Sequence, residues 1–212
     1  MTAFVHLRVR SEFSLIDSIV RIDDAVKACV AQRMPALAIT DLGNLYGLVK
    51  FYKSAQGKGI KPVFGADLIV RDGEQLSQIT ALVMNDTGYK NLITLISRAF
   101  VEGQEQGRAI VRRDWIRPCE AGLIFLLGRG SDVGQALSGS DPSQADRLLA
   151  GWQAQSPTRI YLELLRTSRE GDEEHLHAAV ALAERQQCAV VATNDVRFIH
   201  REDFEAHEVR VC

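Results

Sequence analysis

Apolar runs of strand length alternate with amphipathic runs of helix length along most of the chain. Strands are predicted at 4–9, 36–40, 62–70, 79–84, 122–127, 160–165 and 189–193. Helices are predicted at 45–55, 91–101, 145–154 and 172–187, and residues 130–142 form a loop or a short helix. This alternation predicts a mainly parallel sheet with helices outside it, in either a doubly wound sheet or a barrel.

A further helix is predicted near the N-terminus, before the strand at 36–40. Asp23 and Asp24 can cap it, and its apolar face would consist of Ile22, Val26, Cys29 and Val30. With 212 residues and 46% hydrophobic residues, the chain is large enough for one domain with a full core.

The charge balance and the cysteines exclude some functions. A net charge of −2 and a pI near 6.2 argue against this chain being a main DNA-binding surface, which would usually carry a basic excess. Four cysteines lie far apart, without the spacing of a disulfide framework or a zinc site: Cys29, Cys119, Cys188 and Cys212. We expect reduced thiols.

The two ends of the sequence suggest where the chain works. No basic region followed by an apolar run opens it, and no stretch reaches the ~20 apolar residues of a membrane helix. We therefore expect a cytoplasmic location. The end at Cys212 has no turn signal or polar tail, so we interpret residues 1–212 as one N-terminal domain of a longer chain.

The predicted strand at 4–9 places His6, Arg8 and Arg10 on one face, because successive side chains of a strand point to opposite sides. In a strand covered by helices, such a polar face must line a cavity, a site or a partner. Two of these three side chains are guanidinium groups, which stay protonated and do not ligate metals.

More charged residues follow or lie near other predicted strands. In parallel α/β barrels, functional residues lie at the carboxyl ends of the strands. Those found here are Arg8, Arg10, Asp41, Asp67, Asp195 and Arg197, with Asp17 and Glu163 as expected neighbours. A single aspartate after a strand usually caps a helix or shapes a turn, but several acids facing three arginines indicate a shared site.

Other candidates are weaker. His175 and His177 lie about 200° apart on their predicted helix and cannot bind one metal together. His200 and His207 are expected in a loop or a terminal helix. The glycine pairs at 43–47 and 57–59 lack the spacing of phosphate-binding loops. The hydroxyls of Ser11 and Ser14 are expected to hold the following turn.

Five stretches, in order, resemble one known family. They are 6–17 (HLRVRSEFSLID), 37–47 (LAITDLGNLYG), 59–67 (GIKPVFGAD), 85–92 (NDTGYKNL) and 190–199 (VVATNDVRFI). They resemble the PHP (polymerase and histidinol phosphatase) domains that open the bacterial DNA polymerase III alpha subunits, particularly the proteobacterial type. The resemblance covers nearly the whole chain and implies a distorted (β/α)7 barrel.

The resemblance also implies a site that has lost its metals. Active PHP domains hold up to three divalent metals with histidines and acids, and the metals activate water for phosphoester hydrolysis. The matching positions here keep four acids, Asp17, Asp41, Asp67 and Asp195. The expected ligand histidines and the ligand after the 122–127 strand are replaced by Arg8, Arg10, Leu42, Gln78, Arg197 and the pair Gly128–Arg129.

We therefore expect no metal or other cofactor in this domain. Our hypothesis is that Arg8, Arg10 and Arg197 replace the metals and neutralise Asp41, Asp67 and Asp195 through charge-assisted hydrogen bonds. The degenerate site would consist of these six residues together with His6, Asp17 and Glu163.

The resemblance implies a replicative polymerase as the parent protein, whose Mg²⁺ ions would be bound in a palm domain outside this sequence. DNA would be held by the parent chain, and no membrane would be involved. This domain would be a scaffold that docks the proofreading exonuclease, the epsilon subunit. The rival interpretation is a residual metal-dependent phosphoesterase, pyrophosphatase or 3′–5′ exonuclease that relies on the four aspartates and His6. A free-standing barrel of unrelated role is a third alternative.

Overall fold

The computed structural model describes residues 4–139 and 142–211, which divide into two compact units. The first unit contains residues 4–66 and 194–211, and the second contains residues 67–193 apart from 140 and 141. The helices are α1 (Ile22–Ala31), α2 (Leu48–Gly57), α3 (Asp86–Glu102), α4 (Arg113–Ile116), α5 (Asp132–Leu137), α6 (Pro142–Gln155), α7 (Asp172–Gln186) and α8 (Phe204–Val211). The strands are β1 (Ala36–Leu42), β2 (Lys61–Asp72), β3 (Gln75–Val83), β4 (Gln104–Glu105), β5 (Arg108–Arg112), β6 (Leu123–Leu127), β7 (Ile160–Leu165) and β8 (Ala189–Thr193).

The first unit is built around a small apolar core that α1, β1 and α2 supply. Its largest buried side chains include Ile22, Leu37 and Phe51, each at most 1% exposed. The buried residues of α1 recur every three or four positions, as expected for a helix with one face on a core.

The start of α1 differs from the prediction. The residue before the helix is Arg21, which makes no side-chain capping bond, and Asp23 and Asp24 lie inside the first turn. Negative charge is favourable there because the first amides of a helix carry partial positive charge. Val30 is 45% exposed and does not belong to the buried face.

The predicted first strand is also wrong in extent. Only two isolated parallel bridges form in it, His6 with Leu37 and Val9 with Val196. The carbonyls of His6 and Val9 accept from the amides of Ala38 and Thr40 in β1, both at 2.8 Å, but the segment forms no continuous ladder. From Glu12 the chain turns into a short 3-10 helix that ends at Asp17.

The second unit is organised on a mixed sheet, where a mainly parallel one was predicted. The strand order is β4-β5-β2-β3-β6-β7-β8. The pairs β2/β5, β6/β7 and β7/β8 are parallel, whereas β3/β6 and β4/β5 are antiparallel. The strands β4 and β5 were missed because their sequence is polar or mixed.

Helix α3 begins at Asp86, five residues earlier than predicted. The side chain of Asn85 caps it by accepting a hydrogen bond from the amide of Gly88 at 3.1 Å. Gly88 packs so closely on the carbonyl of Gly122 that a side chain would overlap it. Across the described residues, no helix is long and apolar enough to cross a membrane.

Candidate functional site

In the first unit, four of the predicted site residues form one chain of ion pairs. Arg10 and Arg197 both bond the carboxylate of Asp17. Arg197 also donates from Nε and Nη2 to the two oxygens of Asp195, at 2.9 and 3.2 Å. The side chains of Arg10 and Asp195 are 5% and 10% exposed, and those of Arg197 and Asp17 are 19% and 25% exposed, so the network is partly shielded from water.

This network determines the charge state of Asp195. Burial alone would raise the pKa of its carboxyl group, but the hydrogen bonds from Arg197 and the charges of Arg197, Arg8 and Arg10 lower the pKa below its usual value. Arg8 therefore acts on Asp195 through its charge. Asp195 is held as a carboxylate by permanent cations.

Asp41, near the end of β1, is surrounded by hydroxyl groups. Ser11 donates to it from its amide at 2.7 Å and from its hydroxyl at 2.8 Å, and the hydroxyl of Ser14 donates at 2.7 Å. Asp41 is 2% exposed. Both serines had been expected only to hold the turn, and Ser11 does accept a bond from the amide of Phe13.

His6 lies in different surroundings from those predicted. Its ring packs edge-on against Phe4, with centroids 4.9 Å apart, and it lines an apolar cavity together with residues of α1. Burial lowers the pKa of His6, which favours the neutral imidazole. The prediction placed His6 on one polar face of a strand with Arg8 and Arg10. Residues 4–9 do not form a regular strand, so this face is not formed as predicted.

The C-terminal helix α8 holds the 3-10 segment of the first unit. Arg210 Nε donates to the carbonyl of Leu15 at 2.7 Å, and His207 Nε2 lies 3.4 Å from the carbonyl of Asp17. His207 therefore belongs to a terminal helix, one of its two predicted locations. These contacts fix the backbone that presents Asp17 to the arginines.

In the second unit, Asp67 and Glu163 are both buried within strands. Asp67 in β2 accepts from Thr80 Oγ1 at 2.5 Å and from Gln78 Nε2 at 3.0 Å. Glu163 in β7 accepts from Thr193 Oγ1 at 2.6 Å. Gln78, which stands where the resemblance leads one to expect a histidine ligand, thus donates a hydrogen bond to a carboxylate.

Gly128 and Arg129 follow β6, at the position of another missing ligand. A side chain at Gly128 would overlap the carboxylate of Glu163. Arg129 donates to Asp172 at 3.0 Å, while Thr167 supplies further donors to the same carboxylate. These bonds, led by those from Thr167, lower the pKa of Asp172 to about 2.

The remaining polar candidates stay outside these clusters. His175 and His177 lie on α7, and burial lowers the pKa of His175. Cys29, Cys119 and Cys188 are free thiols, and Cys212 lies outside the described residues.

The donor set of the first unit does not fit a divalent metal. Asp17 and Asp195 already accept hydrogen bonds from guanidinium groups, which cannot be displaced by deprotonation. Leu42 has no donor atom that could take the place of an imidazole ligand. Within 4–139 and 142–211, no three or more His, Cys, Asp or Glu side chains are grouped so that they could hold a metal ion.

Comparison with known proteins gives the class of this domain. The family model for the PHP domain matches residues 6–167. An amidohydrolase from Chromobacterium violaceum, solved with bound sulfate and no metal, has a TM-score of 0.61 at 13% identity, covering 98% of this chain and 97% of that one. A two-domain protein from Bacteroides vulgatus, containing a predicted PHP-like metal-dependent phosphoesterase, has a TM-score of 0.53 at 14% identity, covering 91% and 51%.

The chain belongs to the PHP domain family, and the expected fold class, a distorted α/β barrel of this type, is confirmed. Its sequence relatives are more specific. It is 50% identical to the DNA polymerase III subunit alpha of Pseudomonas fluorescens, 49% to that of Escherichia coli K12 and 42% to that of Vibrio cholerae. Each match covers 99% of this chain, which spans 18% of the relatives' length. The resemblance to the proteobacterial type is thereby confirmed.

Proposed function

We propose that this chain is a metal-free PHP scaffold, in which arginines do the electrostatic work of the family's metals. The observation that carries the proposal is the network of Arg10, Asp17, Arg197 and Asp195. Two permanent cations lie where carboxylates would otherwise repel each other. Because a guanidinium group neither activates water nor accepts substrate oxygens as a metal does, the network supports folding but not hydrolysis.

We further propose that residues 1–212 form the N-terminal domain of a replicative polymerase alpha subunit. The support is the 50% identity to a relative of that name over 99% of this chain. The parent protein would join deoxynucleotides on a DNA template and release pyrophosphate, with Mg²⁺ in its palm. It would act in the cytoplasm and bind DNA through other domains, consistent with the net charge of −2 here.

The proposed partner of this domain is the proofreading exonuclease, the epsilon subunit. A polymerase whose PHP domain does not hydrolyse DNA needs a separate nuclease to remove misincorporated nucleotides, and docking on the PHP scaffold would keep that nuclease near the growing strand. The measurement is calorimetric titration of the purified chain with the purified exonuclease. Saturable binding is expected, and its absence with a folded chain would remove the docking part of the proposal.

The scaffold proposal is tested by activity and metal content together. The purified chain is incubated with Mn²⁺, Mg²⁺ or Zn²⁺ and either pyrophosphate or a 3′-terminal DNA strand, and its bound metal is measured after gel filtration. We expect less than one metal per chain and no turnover above that of Asp41→Asn. Turnover that Asp41→Asn abolishes would overturn the scaffold and favour the rival.

The rival proposal is a residual metal-dependent phosphoesterase, pyrophosphatase or 3′–5′ exonuclease. One observation favours it. Four aspartates at matching positions are retained, and two of them, Asp41 and Asp67, are at most 2% exposed. Buried acids without catalytic use are costly unless each has donors. Here each has them, in Ser11 and Ser14 or in Thr80 and Gln78, which gives these acids a structural reason to persist.

A further inference from the structure

The segment of the first unit that contains α2 is basic, although the whole chain is slightly acidic. Residues 42–66 contain four lysines and no aspartate or glutamate, in a chain whose net charge is −2. All four lysines are exposed to solvent; they are Lys50, Lys53, Lys58 and Lys61. A local excess of one charge attracts a partner of the opposite sign.

The outer side of α2 also exposes three large apolar or aromatic side chains. Tyr46, two residues before the helix, and Val49 are each 62% exposed, and Tyr52 is 44% exposed. Because residues three apart are neighbours on a helix, Val49 and Tyr52 lie on the same side of α2. The helix is buried on the side of Phe51 and Ala55 instead. We call Tyr46, Val49 and Tyr52 the tyrosine stripe.

The lysines beside the tyrosine stripe are only partly neutralised by this chain. Lys50 Nζ donates to the carboxylate of Glu12 at 2.7 Å, which shows that this surface accepts an acid. Across the described residues, the ammonium groups of Lys53 and Lys61 have no hydrogen-bond or ion-pair partner. Lys53 follows Val49 by four positions, one turn of the helix, so its charge lies next to the stripe.

A protein segment fits these features better than a nucleic acid does. Surfaces that bind single-stranded nucleic acids place aromatic rings and cations along a groove. The tyrosine stripe lies instead on the convex side of one helix, with Val49 between its two tyrosines. Valine offers no ring for a base to stack on, whereas apolar side chains of a partner protein would remove it from water.

We propose that the tyrosine stripe docks an acidic segment of a partner protein. Apolar side chains of that segment cover Tyr46, Val49 and Tyr52, and one of its carboxylates pairs with Lys53. The apolar contacts supply most of the affinity, while the charges orient the segment and speed its association. This docking rests on the scaffold role proposed above, and it adds the face of the scaffold and the chemistry of what binds there.

The first test selects peptides by their dependence on the tyrosine stripe. A library of random peptides displayed on phage is selected on the whole chain and depleted on its Val49→Ser variant, which removes peptides that bind elsewhere. We expect the surviving peptides to combine aspartate or glutamate with leucine, isoleucine or phenylalanine. Survivors that are basic or lack apolar residues, or the absence of survivors, would overturn the proposal.

The second test titrates the most enriched peptide, as a synthetic compound, against variants of the whole chain. Tyr46→Ser should weaken binding about 10-fold, as for a buried interface tyrosine. Lys53→Glu should weaken it about 3- to 10-fold, with a smaller difference at high salt because salt screens the charges. Unchanged affinity in both variants would contradict the proposed contacts.

Two variants on α3, in the second unit, are the matched controls. Val101 is 82% exposed and Lys90 is also exposed, so Val101→Ser and Lys90→Glu repeat the same chemical changes away from the stripe. We expect both controls to bind the peptide like the parent chain. If they weakened binding as much as Tyr46→Ser and Lys53→Glu, the peptide would not be bound by the stripe.

Oligothymidylate tests the other class of partner. If it bound the parent chain and lost affinity in both Tyr46→Ser and Lys53→Glu, while no peptide survived selection, the stripe would be a nucleic-acid surface and the proposal would be wrong.

A last comparison separates this docking face from the proposed exonuclease partner. The calorimetric titration with the exonuclease is repeated with Val49→Ser. If the exonuclease bound both chains equally and no peptide survived selection, the docking role would stand and the stripe would be excluded. If stripe-dependent peptides were found but the exonuclease bound neither chain, the stripe would stand and the exonuclease would be excluded as the partner.

Discussion

Two aspartates with little exposed surface, Asp195 in the first unit and Asp132 in the second, have pKa values shifted in opposite directions. Asp195 in the first unit bonds Arg197 through both carboxylate oxygens, and its pKa is lowered. Asp132 in the second unit accepts from Trp152 Nε1, at 3.1 and 3.0 Å, and from the amide of Val133 at 2.9 Å. Burial dominates there and raises the pKa of Asp132.

The difference shows that the two neutral donors of Asp132 are too weak to offset the effect of burial on its pKa. Asp132 has two neutral donors, yet desolvation outweighs them together with the more distant charge of Arg113. Asp195 is desolvated as well, but a guanidinium group in direct contact reverses the balance. In the first unit, the Arg197 side chain therefore supplies a stabilising charge that the neutral donors of Asp132 do not supply.

Removing the guanidinium group of Arg197 should give the largest loss of stability. Arg197→Ala leaves Asp195 and Asp17 without their shared partner, and we expect the free energy of unfolding to fall by roughly 3–5 kcal/mol, the cost of breaking a buried pair. Arg10→Ala should also lower the free energy of unfolding, because Asp17 loses a guanidinium partner. The measurement is urea unfolding at neutral pH, followed by circular dichroism.

The matched control for Arg197→Ala is Arg166→Ala. Arg166 pairs with Glu173, and both side chains are more than half exposed. We expect a change of at most about 1 kcal/mol from it, as for other exposed pairs. If Arg197→Ala were as mild as this control, or Arg10→Ala left stability unchanged, the replacement of metals by arginines would lose its energetic basis.

A smaller loss is expected where neutral donors hold a carboxylate of the first unit. Ser14→Ala removes one hydroxyl bond to Asp41, and the free energy of unfolding should fall by about 1.5–3 kcal/mol, as for bonds to charged groups. Ser54→Ala is the control, because Ser54 bonds the exposed Asp23. Equal losses for the two serines would show that burial of Asp41 does not matter.

The sequence predicted the longer helices and most strands of this fold because their apolar periodicity is strong, but it did not predict the short helix α4. It did not predict β5, where Arg108 and Arg112 flank a short apolar centre, nor the break of the strand at 4–9 into two bridges. The formation of β5 and the break at 4–9 depend on which segments of the chain pair with these residues. A local sequence pattern does not contain that information.

For the candidate site, the pattern identified the charged residues but not all of their partners. The pair of Arg197 with Asp195 was accessible from the spacing of two residues. The bond of Arg197 to Asp17 was not, since 180 positions separate them. Ser11 directly follows Arg10 and Ser14 lies three residues further on, so both could have been considered as donors, but the acid that they bond depends on the position of β1.

The smallest expected effect tests the contrast between Asp132 and Asp195 through the pH dependence of the free energy of unfolding. The raised pKa of Asp132 means that its contribution to stability is present below the ordinary value of 3.8 and is lost as pH rises through the folded pKa. The lowered pKa of Asp195 means that its contribution is present above 3.8 and is lost as pH falls through the folded pKa.

Asp132→Asn should therefore gain stability relative to the parent chain as pH rises from 3.8 towards neutrality, by on the order of 1 kcal/mol. Asp195→Asn should show the opposite trend, with its loss at neutral pH shrinking as pH falls below 3.8. Unfolding by urea across this range measures both differences. If both variants changed with pH in the same direction, direct contact with a fixed cation would not be what separates the two aspartates.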